Sequence, residues 1–171
     1  MRRILIPVLV LLLCATSGMA VTLQQAYDAA GPGAGYQKLV YLDNETLYTG
    51  GLTLSTGPTC IISDGALIDL QGSRLIVTGN NQLDVCGVVL IGSDSAAIKY
   101  DAGKGWIDRV TFAQNYDGVT CWINANMRLT SNIFSFGTRY GFYCHDTGTR
   151  WIAYNDAWSN PGGDYRRWCT S

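Results

Sequence analysis

Beyond Pro32 the apolar residues come in short runs of three to six, separated by Gly, Asn and Asp. Leu52-Thr53-Leu54, Ala66 to Leu70, Leu75-Ile76-Val77 and Leu83 to Ile91 carry apolar positions that alternate with others. Alternation at period two puts successive side chains on opposite faces of a strand. The runs also repeat. Ala97-Ile98-Lys99-Tyr100, Gly118-Val119-Thr120-Cys121 and Gly141-Phe142-Tyr143-Cys144 align at offsets of 21 and 23 residues, and Ile107 to Phe112, Leu129 to Phe134 and Ile152 to Ala157 follow in the same order. Asn132 and Asn155 fall three residues after Leu129 and Ile152.

A period of this length with several short strands per repeat predicts a solenoid. The fold class expected is all-β, a single-stranded parallel β-helix. Equivalent residues of successive coils then stack about 4.8 Å apart. Ile98, Val119 and Phe142, with Tyr100, Cys121 and Cys144, are expected inside, and Asn132 and Asn155 are expected to pass side-chain hydrogen bonds from coil to coil.

One segment reads as helix. In VTLQQAYDAAGPG, Leu23, Ala26, Tyr27 and Ala30 lie at i, i+3, i+4 and i+7, one face of a helix. Thr22 is the expected N-cap with Gln25 at the capping-box position, and Gly31-Pro32 supplies the stop.

The N-terminus changes the picture of where the chain works. Arg2 and Arg3, an apolar stretch from Ile4 to Cys14, and small residues at Gly18 and Ala20 read as a secretory signal over residues 1–20. The apolar stretch is shorter than the roughly 20 residues a bilayer span needs. Export to the extracellular space or cell surface is expected, leaving residues 21–171 as one β-helix domain with no membrane association after cleavage. Glu45 is the only glutamate, and without Arg2 and Arg3 the chain has 10 basic residues against 13 acidic ones. That balance, with no basic cluster larger than Arg166-Arg167, argues against nucleic acid. Five cysteines follow the signal: Cys60, Cys86, Cys121, Cys144 and Cys169. No zinc-type spacing joins them. Stacked, parallel Cβ vectors at Cys121 and Cys144 suit a disulfide poorly, so a buried cysteine stack is expected there, with Cys169 the odd residue.

The L-x-x-L-x-L-x-x-N signature of leucine-rich repeats is absent. The pattern instead resembles the right-handed parallel β-helix of the pectate-lyase-like superfamily over roughly Val21 to Ser171. TLQQAYDAAGPG looks like the N-terminal cap helix of secreted members, YTGGLTL like the strand that commonly follows, and YNDAWSNPGGDY like a turn of bacterial β-helix repeat proteins. The segment WIDRVTFAQNYDG is similar to the Trp-Ile-Asp-His segment and later Asp-Gly of pectate lyases. Trp106, Ile107, Asp108, Asp117 and Gly118 match by position, and Arg109 stands where that family has His. The resemblance implies Asp117 as a candidate calcium ligand and Arg109 as a candidate catalytic base, one that would need strong perturbation. The Arg-x-Pro-x-x-Arg segment of that family's catalytic arginine is missing, as is the Asn-Thr-Asp, Asp-Asp, Gly-His-Gly set of polygalacturonase-like hydrolases. Asp64 and Asp69 are close in the chain, but Asp64-Gly65 reads as a turn.

Alternation places a second candidate site. With Ile98, Val119 and Phe142 inside, the outward residues form a grid of two columns: Lys99, Thr120 and Tyr143 in one, Asp101, Trp122 and His145 in the other. Aromatic rings beside Lys, Asp and the single His suit an extracellular polysaccharide, with rings on sugar C–H faces and polar groups on hydroxyls or a uronate. The competing reading is a sheet face whose aromatics pack on one another. His145 is the other candidate catalytic residue, although Asp101, two coils away, is too far to pair with it directly.

The expected function is therefore a polysaccharide-directed domain that binds or presents rather than catalyses, with no required cofactor. The runner-up is a fragment of a calcium-dependent polysaccharide lyase, and the third reading is a structural repeat domain. About six coils fit, and no closing cap segment is evident, so further C-terminal coils or end-to-end association are expected.

Overall fold

Backbone pairing winds the chain into six coils, each with three sides. The computed structural model describes residues 20–145 and 148–166; the predicted leader through residue 19, with Cys14, and Cys169 near the other end lie outside the described residues. After β1 (Val21–Thr22) and α1 (Leu23–Ala29), the first coil comprises β2 (Lys38–Leu42), β3 (Tyr48–Thr49) and β4 (Leu52–Leu54). In the second, β5 (Thr59–Gly72) serves two sides and β6 (Leu75–Thr78) the third; in the next, β7 (Leu83–Ser93) and β8 (Ala96–Asp101) divide the work in the same way. Then come β9 (Lys104–Asp108), β10 (Thr111–Ala113) and β11 (Asp117–Trp122), followed by β12 (Asn126–Thr130), β13 (Ile133–Ser135) and β14 (Tyr140–Cys144). The sixth coil is β15 (Arg150–Ala153), β16 (Asp156–Trp158) and β17 (Gly163–Arg166).

Strands stack only on their counterparts in neighbouring coils, and every pairing between them is parallel. The first side runs β2-β5-β7-β9-β12-β15, the second β1-β3-β5-β7-β10-β13-β16 and the third β4-β6-β8-β11-β14-β17. Among the described residues the chain is thus a parallel β-solenoid with a single short helix. The register is the one the repeat predicts: Ile98, Val119 and Phe142 align on the third side, and Ile107, Leu129 and Ile152 on the first. All six are buried, as are Tyr100, Cys121 and Cys144. Phe112 and Phe134, adjacent in register, stack with ring centroids 4.8 Å apart and planes 7° from parallel. That distance is the strand spacing itself, so identical residues at one position pack face to face without adjusting the backbone.

Corners are where the coil costs most. Arg109, Ser131 and Tyr154 sit at the turn from first to second side with φ of 53°, 57° and 60°, where earlier coils have Gly65 and Gly87. The left-handed region costs an L residue roughly 1–2 kcal/mol. The asparagines offset it. Asn132 Oδ1 accepts the Val110 N–H at 2.9 Å, while its amide donates to Ile107 O at 3.0 Å and to Asn155 Oδ1 at 2.9 Å. Asn155 in turn donates to Leu129 O at 3.0 Å. The coil-to-coil amide ladder expected from the sequence is present. A second ladder, at the turn from second to third side, was not expected. There Asn115 takes the Ser93 N–H at 3.0 Å and donates to Leu90 O at 2.9 Å, and Asn160 takes the Gly137 N–H at 3.0 Å and donates to Phe134 O at 3.1 Å.

The glycine repeated before the inward Val119 and Phe142 also has a reason. A Cβ on Gly118 would lie 2.4 Å from Gly141 O and 2.6 Å from the Phe134 ring. Glycine there admits both the neighbouring coil and the stacked phenylalanines.

α1 begins with the predicted capping box, Thr22 Oγ1 accepting the Gln25 N–H at 3.1 Å and Gln25 Oε1 accepting the Thr22 N–H at 3.0 Å. Leu23 is buried in the core, and Ala26, Tyr27 and Ala30 pack against it. The cysteines depart from expectation in one respect. Cys121 and Cys144 are in register and fully buried, as a stack requires. Cys144 is nonetheless disulfide-bonded, and not to Cys121, which keeps its thiol. Cys60 is buried, and burial, with Asp84 close by, pushes its thiol up to about 11.

Asn132→Ala should strip the Val110 N–H and Ile107 O of their partners inside the coil and cost about 3 kcal/mol. Thermal or denaturant unfolding should show this as a loss well beyond that of an exposed-site control such as Asn44→Ala.

Candidate functional site

On the third side, β8, β11 and β14 bring the predicted grid together. Thr120 pairs in register with Lys99 on one side and Tyr143 on the other, Trp122 pairs with Asp101, and the His145 N–H donates to Cys121 O at 2.9 Å, extending the row. Five of the six grid residues are at least partly exposed; Thr120 is outward-facing but only 5% exposed, covered in the middle of the grid.

The side chains engage one another more than the sequence implied. Trp122 stacks on His145 at 3.9 Å with planes 11° apart, and Lys99 Nζ stands 5.4 Å over the Trp122 ring. Lys99 also forms an ion pair with Asp101 at 3.1 Å. Tyr143 meets His145 edge-on at 6.4 Å and stacks on Tyr140 at 5.4 Å. Stacking of this kind leaves the indole edge, rather than a full ring face, for anything that approaches the grid. Beside it lies a cleft of about 180 Å³ whose walls include Arg74, Lys99, Tyr116, Trp122, Arg139 and Tyr143.

Arg139 is the functional-looking residue that the sequence reading missed. Its guanidinium grips the buried Asp117 carboxylate through Nε at 2.9 Å and through Nη2. It also lies 4.6 Å from the Tyr116 ring, 4.9 Å from Tyr140 and 5.3 Å from Tyr143. The pair holds Arg139 above its ordinary pKa, through the hydrogen bond to Asp117 first. Asp117 Oδ1 also accepts the Tyr140 N–H at 3.1 Å. Calcium wants six to eight oxygen ligands. The Asp117 oxygens are bound to a guanidinium, its register neighbours are Ala96 and Tyr140, and among the described residues no three His, Cys, Asp or Glu side chains converge. The residues around Asp117 do not fit a calcium ion.

The Trp-Ile-Asp-Arg segment lies on a different side, the first. Trp106 Nε1 donates to Thr130 Oγ1 at 2.8 Å, and Thr130 donates to Asp108 Oδ1 at 2.5 Å. Asp108 Oδ2 then accepts from Arg109 Nε at 3.2 Å, and Arg109 Nη2 reaches Cys86 Sγ at 2.9 Å. A base needs a lowered pKa here. Arg109 is held above its ordinary value, by the Cys86 contact first and by Asp108 after it. What this segment does locally is fix the Trp106 ring.

That ring belongs to a column that the repeat could have revealed. Trp106, Arg128 and Trp151 each precede an aligned inward residue, Ile107, Leu129 or Ile152, so they stand in register one per coil. The Arg128 guanidinium lies 4.7 Å from the Trp106 ring and 3.9 Å from the Trp151 ring. The signal was the phase of the repeat, read for the inward residues alone.

Arg139→Met should leave the buried Asp117 carboxylate without its cation and cost about 3 kcal/mol. Adding Asp117→Asn to that variant should recover part of the loss, so a double-mutant cycle in urea should give a favourable coupling energy.

No family model matches the chain, and comparison with curated proteins and with solved structures returns no match. Six coils of parallel strands fit the β-helix part of the resemblance seen in the sequence; no matching family stands behind the superfamily itself.

Proposed function

We propose that the chain is a secreted, polysaccharide-directed β-solenoid that binds its ligand rather than cleaving it. The observation that carries this reading is the row of Lys99, Asp101, Thr120, Trp122, Tyr143 and His145 in register on three adjacent coils, next to the Arg139 cleft. A regular polymer laid along the solenoid axis meets one pair of these residues on each of the three coils, which suits repeated hydrogen bonds to hydroxyls and edge contacts with Trp122. The stacking inside the grid prepays much of the ordering cost that long side chains otherwise incur on binding. Binding is favoured over lyase chemistry because Arg109 is held protonated and Asp117 is engaged by Arg139. The leader-like N-terminus supports an extracellular or cell-surface setting. Among the described residues β15, β16 and β17 each pair with one neighbour only, an arrangement suited to further coils or to stacking with a second copy.

Tryptophan fluorescence of the protein, titrated with a panel of neutral and acidic polysaccharides with and without calcium, tests the reading. A saturable change is expected without calcium, and Trp122→Ala should weaken binding about tenfold, the scale of one aromatic contact. No response from a folded sample would favour the structural repeat domain instead.

A further inference from the structure

We infer that the Trp106–Arg128–Trp151 column on the first side is a second ligand site, one that takes the carboxylate of an acidic glycan. The inference rests on the polysaccharide-directed reading for its ligand class, but it uses a different sheet and different residues.

The column is built for a fixed guanidinium. Both faces of Arg128 are covered by indoles, and Trp106 is itself held by the hydrogen bonds through Thr130 to Asp108. Trp106 is 42% exposed and Trp151 50%, and Arg128 lies exposed between them. Stacking satisfies the ring faces of a guanidinium and leaves its N–H groups, which lie in the plane, to find acceptors. Among the described residues Arg128 has no carboxylate or carbonyl acceptor; its contacts are the two rings. An arginine whose side-chain freedom is already spent, and whose donors are unused, is pre-organised for a planar two-oxygen anion.

The surroundings give the sign of the ligand. A cleft of about 340 Å³ opens against the column. Its second exposed cation is Lys104, which also has no ion-pair partner among the described residues. Its one carboxylate, Asp84, is 8% exposed and already accepts from Trp106 N at 2.7 Å, from Gln82 Nε2 at 2.8 Å and from the Tyr36 hydroxyl. The accessible charge is therefore positive. Gln82, Asn126 and Thr149 add amide and hydroxyl groups to the walls, the chemistry that sugar hydroxyls meet. Trp106 and Trp151 lie two strand spacings apart, about 10 Å, so a linear chain along the axis can pass one carboxylate at Arg128 while its neighbouring rings lie against the two indoles.

Isothermal titration calorimetry at low salt in the presence of EDTA decides the matter, with oligogalacturonate, its methyl ester and a sulfated oligosaccharide of similar length as probes. The wild type should bind the free acid about tenfold or more tightly than the ester, the scale of one charge-assisted contact. Arg128→Gln should weaken the free acid about tenfold and abolish that preference, with the far-UV spectrum unchanged, whereas Trp122→Ala should keep it. Arg128→Lys, which holds charge but not the stacked fork, should restore little. Equal binding of acid and ester, an Arg128→Gln variant that binds like wild type, or a stronger response to the sulfated probe would each overturn the carboxylate site. Loss of acid binding in Trp122→Ala alone would also overturn it and place the ligand on the third side, leaving the broader proposal intact. Silence with every probe would overturn the carboxylate site, while the broader proposal falls only if the neutral polysaccharides of the fluorescence panel are silent too.

Discussion

Everything in this molecule depends on one constraint: each coil must bring the backbone back to the same register one strand spacing further along. Parallel pairing has no hairpin to set it, so register has to come from inside the coil. The inward apolar columns supply part of it, since a one-residue slip would turn Ile98, Val119 and Phe142 outward. Corners supply the rest. A turn through the left-handed region at Arg109, Ser131 and Tyr154 costs conformational energy in each coil, and the asparagine that follows in the last two of those coils ties the corner to the coil beside it. Apolar packing decides which residues face in; the amide ladders decide where the chain bends.

The same constraint governs how much could be read from the sequence. Strand positions, inward residues and coil number were legible because the repeat states them several times over, and one misread coil is corrected by its neighbours. The helix was legible from local chemistry, a capping box and an i, i+3, i+4 face. The Asn115 and Asn160 ladder was not, because Gly137 occupies the intervening position and breaks the visible repeat. The cleft at Arg139 was hidden for a different reason. Arg139 lies just outside β14, and its partners Asp117, Tyr116 and Tyr140 are joined only when two coils are laid side by side. Sequence alternation says which way a side chain points, and it is silent on which outward neighbours will pair.

That silence matters most for Trp122. From the alternation alone its ring is an open platform; in the folded chain the ring stacks on His145 and lies under Lys99. In-register outward aromatics on a parallel sheet are one strand spacing apart, which is also a good stacking distance, so a column of rings tends to satisfy itself. What such a column offers a ligand is its edges. The useful donors and acceptors are then the polar members of the column, held in place by the rings on either side.

The two outer faces differ in just that respect. On the third side the cations beside the aromatic grid are paired, Lys99 with Asp101 and Arg139 with Asp117, while Arg74 hydrogen-bonds Ser95. The first side puts Arg128 between two indoles instead of beside a carboxylate, and buries its nearby acid under three hydrogen bonds. An acid at Asn126, two residues before Arg128 on β12, or at its register partner Lys104 on β9 would have given the guanidinium an anion from within the sheet. The fold leaves the charge unanswered on an exposed, in-register column of the first side. That combination of rigidity, exposure and unspent charge separates this column from the self-satisfied grid on the third side.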